Sequence, residues 1–60
     1  MTISDNQKFT LLNRALARYH KIFPLSQTKS WEECFTVSGN KLLFWFNTED
    51  QSTRMMTAEL

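Results

Sequence analysis

The run Leu42-Leu43-Phe44-Trp45-Phe46 is apolar at every position. No other stretch constrains the fold as much. As a strand it sends alternate side chains to opposite faces of a sheet. Leu42, Phe44 and Phe46 then lie on one face, Leu43 and Trp45 on the other. The chain has 60 residues. Outside its strands it offers enough sequence to cover one face, so the second face calls for a partner.

A single domain over residues 1–60 is expected at this length. Such a domain buries roughly 60% of the surface its unfolded chain exposes, and it is marginally stable without a staple or self-association. Cys34 is the one cysteine, so no disulfide forms within a monomer. A lone cysteine fits a reducing cytoplasm, the expected location. No apolar run reaches the roughly 18 residues of a membrane-spanning helix. The segment Met1-Thr2-Ile3-Ser4-Asp5 lacks the basic and apolar regions of a signal peptide. Eight aromatic residues argue for a packed core.

Ser4 and Gln7 have the spacing of a helix capping box, and Asp5 sits where the helix dipole favours negative charge. Phe9, Leu12, Leu16, Tyr19 and Phe23 then recur every three or four residues, which predicts a helix over about residues 5–22 with one apolar stripe. Pro24 disfavours helical geometry at Phe23 and ends it. A loop over 24–30 follows, then a strand over 33–37. Gly39-Asn40 suits a two-residue hairpin turn. It pairs Val37 with Leu42, Phe35 with Phe44 and Cys34 with Trp45. A three-residue loop Glu49-Asp50-Gln51 pairs Phe44 with Met56, Leu42 with Ala58 and Lys41 with Glu59, and it requires Gln51 to be left-handed. The expected fold is α+β: one N-terminal amphipathic helix packed on a three-stranded antiparallel β-meander.

The helix-free face then carries Cys34, Thr36, Leu43, Trp45 and Met55, with Trp31 beside it. An apolar patch of this kind marks an interaction surface. A homodimer is the default, because two-fold pairs are the commonest assemblies. Its interface is expected to include Trp45, Leu43, Cys34, Met55 and Trp31, or else to form through an open edge strand.

Residues 1–30 carry five Lys or Arg against one Asp, a net of +4, whereas residues 31–60 carry two against five acids, a net of −3. Arg14, Arg18 and Lys21 fall on the outer side of the predicted helix, with Lys29 near them. This stripe supports an alternative reading as a nucleic-acid-binding protein. The order of one helix and three antiparallel strands resembles part of a double-stranded-RNA-binding domain. The second helix and the basic loop are missing, so no residues carry over.

Catalytic chemistry finds little support. His20 and Cys34 are two isolated ligand types, where a zinc site wants about four. Glu32 and Glu33 point to opposite faces of a strand. Gly39 is the single glycine, so no Gly-rich phosphate loop exists. The expectation is a protein-interaction module with no catalytic activity, no cofactor and no metal.

Overall fold

The computed structural model describes residues 3–60. Helix α1 (Asp5–Tyr19) is followed by β1 (Ile22–Phe23), a 3-10 turn (Trp31–Cys34), β2 (Phe35–Ser38), β3 (Lys41–Thr48) and β4 (Thr53–Glu59). The class is α+β, with one N-terminal helix on an antiparallel sheet. The sheet has four strands rather than three.

Strand β3 is the centre of the sheet. It pairs along its length with β4, from Lys41 opposite Glu59 to Asn47 opposite Thr53. Its other edge is shared end to end. β2 takes Lys41 to Phe44, and β1 takes Asn47 and Thr48. Both hairpin registers are the expected ones. Phe35 faces Phe44, Val37 faces Leu42, and Met56 and Ala58 face Phe44 and Leu42. Gly39 takes a positive φ of 63° in the first turn, and Gln51 takes 67° in the second. Asp50 holds that second turn: its Oδ1 accepts from the Ser52 amide at 3.1 Å and from the Thr48 hydroxyl.

The capping box forms as expected. The Gln7 amide donates to the Ser4 hydroxyl and the Ser4 amide donates to the Gln7 side chain, both at 3.2 Å. The helix ends three residues before the predicted limit. His20 turns out with φ 64° and ψ −52°, its amide donating to the Leu16 carbonyl at 3.1 Å. The reversal frees Ile22 and Phe23 to pair with Thr48 and Asn47. Extended backbone at Phe23 is what the following proline favours. The Asn47 side-chain amide then donates to the carbonyls of Pro24 and Leu25, at 3.3 and 3.2 Å, and fastens the loop behind β1.

The helix also presents a different stripe to the sheet. Leu11 and Ala15 are fully buried, Leu12 and Tyr19 half-buried, whereas Phe9 is 62% and Leu16 41% exposed. At 3.6 residues per turn the apolar positions from Leu11 round to Phe9 cover an arc of about 160°. That is wider than one contact face. The sheet takes the Leu11–Ala15 margin, where the small Ala15 side chain permits close approach. The other margin, Leu16 and Phe9, is left to solvent.

The core joins Leu11, Ala15 and Ile22 to Cys34, Leu42, Phe44 and Phe46. Aromatic rings run through it. Tyr19 meets Phe46 at 5.4 Å, Phe46 meets Phe44 at 5.1 Å, and Trp31 meets Phe44 at 5.8 Å between centroids.

Two residues assigned above to the helix-free face lie elsewhere. Cys34 ends the 3-10 turn, is fully buried in the core and donates its thiol to the Ser30 carbonyl at 3.6 Å. It precedes β2 and does not pair with Trp45. Trp31 packs on the helix side against Phe44. The cause is local. The Ser30 amide donates to the Glu33 carboxylate at 3.1 Å, a second capping box that winds Trp31–Cys34 into a turn.

Candidate functional site

The helix-free face is built by alternation on the three long strands. Its centre is a cross-strand pair, Trp45 on β3 opposite Met55 on β4, with Leu43 two residues along. Trp45 is 37% and Met55 43% exposed, and Leu43 is half-buried. Thr36 on β2 and Thr57 on β4 flank Leu43, and Thr53 pairs with Asn47 beyond Trp45. The patch is therefore three apolar side chains inside a border of threonines. Of the five residues expected here, the structure brings together Leu43, Trp45 and Met55.

A second apolar surface lies on the helix side, and the stripe reading missed it. The helix packs over β3, β4 and β1, leaving the helix-side face of β2 largely uncovered. Phe9 and Leu12 on α1, Trp31 in the 3-10 turn and Phe35 on β2 line a shallow cleft of about 170 Å³. Asp5, Lys8 and Glu32 stand at its rim. The signal was present in the sequence: Leu11 and Ala15 share a face four residues apart, which displaces Phe9 from the contact.

The cations are redistributed. Arg14 and Arg18 lie on the flank of α1 that looks toward β4. Lys21 is past the helix end and Lys29 is in the 24–30 loop, both exposed. Arg54 joins the helix cations instead. Its guanidinium lies 6.0 Å from the Tyr19 ring centroid, and that of Arg18 lies 5.6 Å from the same ring.

The polar chemistry elsewhere is structural. Asp50 has its carboxyl held below the usual aspartate range, first by the Thr48 hydroxyl and then by the Ser52 amide. His20 is exposed at the helix end while Cys34 is enclosed in the core. Among the described residues, no group of three or more His, Cys, Asp or Glu is placed to hold a metal ion. No helix among them is long and apolar enough to cross a membrane.

Comparison with protein-family models, with curated proteins and with solved structures found no match to this chain.

Proposed function

We propose that this protein is a small self-associating interaction module that works in the reducing cytoplasm without a catalytic step of its own. One observation carries the reading: Trp45 and Met55 stand opposite each other on the face that the single helix leaves uncovered, and both are more than one-third exposed. Covering the exposed part of Trp45 is worth on the order of 2 kcal/mol, and the half-buried Leu43 adds less. The stability of a domain this size is itself only about 3–9 kcal/mol. A second copy laid face to face on the first buries both sets at once, the two sheets packing about 10 Å apart. The threonine border suits the rim of such a contact. The buried, undisulfided Cys34 is compatible with a reducing compartment.

Sedimentation equilibrium or light scattering tests the reading. The wild-type chain is expected to dimerise, and Trp45→Ala to shift it toward monomer. Phe9→Ser, which removes the largest exposed side chain of the helix-side cleft, is expected to leave the dimer intact. A wild-type chain that remains monomeric at millimolar concentration overturns self-association. A dimer broken by Phe9→Ser and untouched by Trp45→Ala moves the interface to the other side of the sheet.

A further inference from the structure

A hollow of about 500 Å³ lies between α1 and β4. The two elements run antiparallel side by side. At one end the Gln7 side chain donates to the Glu59 carbonyl at 3.5 Å, and at the other Tyr19 of the helix meets Arg54 of the strand. Gln7, Arg14 and Arg18 are spaced seven and four residues apart, so they line up on one flank of the helix. From Gln7 to Arg18 the groove follows the helix for about 16 Å.

The groove is rich in donors. Asn6, Gln7, Thr10, Arg14, Lys41 and Thr57 line the hollow. Arg18 and Arg54 extend it, their guanidiniums converging on the Tyr19 ring. Glu59 is the one carboxylate among the residues lining the hollow, and it lies directly across the strand pair from Lys41. Four cations from three separate elements, α1, β3 and β4, thus stand in or next to one concave strip, opposed by Glu59 across from Lys41 and by Asp50, whose charge acts on Arg54. Core packing does not require this arrangement, since Arg14, Arg18, Lys41 and Arg54 are all exposed.

We propose that the α1–β4 groove binds the sugar–phosphate backbone of a single-stranded nucleic acid. The lining matches that chemistry. Arg and Lys with Asn, Gln, Thr and Tyr are the side chains that contact phosphate oxygens and sugars. The exposed guanidinium planes of Arg18 and Arg54 at one end are groups on which unstacked bases lie, while Tyr19, packed on Phe46, holds them in place. A concave strip between a helix and a strand edge suits a single strand that can follow it, whereas a duplex is read by an element that projects into its groove. The site shares Arg14 and Arg18 with the basic stripe seen in the sequence and replaces Lys21 and Lys29 with Lys41 and Arg54; it reaches round the β4 edge of the sheet, since Lys41 and Thr57 alternate onto the Trp45 face whereas Arg54 lies on the helix side.

Fluorescence anisotropy with a labelled oligouridylate tests the site. Binding is expected at low salt and should weaken as NaCl is added, with a log–log slope of about −3 for four cations at roughly 0.7 each. Arg14→Gln, Arg18→Gln and Arg54→Gln are each expected to weaken binding several-fold and to flatten the slope by about 0.7. Lys29→Gln should change neither. All four side chains are exposed, and circular dichroism checks that each variant keeps its fold. Unchanged anisotropy at low salt overturns the proposal. So does a Lys29→Gln effect as large as those in the groove, or displacement of the oligouridylate by polyglutamate at equal charge concentration, which would mark a site for acidic peptides.

Discussion

Phe35 lies flat on Phe44, their ring centroids 4.4 Å apart and their planes within 11°. Phe44 is at the crossing of the whole core, since Trp31 and Phe46 also reach its ring. Phe44→Ala removes the shared partner of three aromatic rings and is expected to cost about 3–5 kcal/mol. That is comparable to the entire stability of a chain this size, so the variant should be largely unfolded at room temperature. Val37→Thr, on the same face but exposed at the sheet margin, should change stability by no more than about 0.5 kcal/mol. Urea unfolding followed by tryptophan fluorescence measures both.

His20 has φ 64° and ψ −52°, a region that side chains with a Cβ rarely occupy. Such backbone costs about 1–3 kcal/mol when the surroundings impose it. His20→Gly is therefore expected to raise the melting temperature, by relieving more strain than the added freedom of the unfolded glycine costs. Gln51→Gly, at φ 67° in the second turn, should act in the same direction. A fall in melting temperature for both would show that neither conformation is strained.

The Asp50 carboxyl is held below its ordinary value, about 3.9, by hydrogen bonds from Thr48 and Ser52. A lowered folded-state value means that ionised Asp50 stabilises the fold above its unfolded value, and that this contribution fades as pH falls through the folded one. Asp50→Ala should thus be less stable than wild type at neutral pH. The gap between the two melting curves should narrow as the pH is taken below about 4.

Cys34 has no exposed surface, and its thiol donates to the Ser30 carbonyl. Its reaction with Ellman's reagent should be slow in the native state. With rising urea it should accelerate in step with unfolding. Fast modification of folded protein would place the thiol at the surface.

The parts of this fold that could be read in the sequence are the local ones. The Ser4–Gln7 capping box and the first hairpin register depend on spacing alone, and the three-residue loop of the second follows from apolar alternation, because it keeps Met56 and Ala58 beside Phe44 and Leu42. The helix face was harder. Its apolar arc is wider than the contact, and which margin is buried depends on a sheet distant in sequence. β1 has only two residues and owes its existence to Asn47 and Thr48, more than twenty positions away. The 3-10 turn is foreshadowed by Ser30 and Glu33, a capping spacing that runs from the end of the expected loop to the first residue of the expected strand. That turn carried Cys34 and Trp31 off the predicted interface. Arg54 reaches Tyr19 only through tertiary packing, so the basic groove had no complete signature along the chain.

The sharing of one edge of β3 by two short strands has a kinetic consequence. β2 and β4 each reach β3 through a tight turn, so those contacts close cheaply and early. β1 and α1 must wait, since the surface they dock on exists only once β3 is flanked. Replacing Gly39, whose positive φ the first turn needs, should slow refolding in stopped-flow experiments. Leu11→Ala should leave that rate nearly unchanged and speed unfolding instead. The molecule would then assemble from its middle outward, with the helix as the latch that closes last.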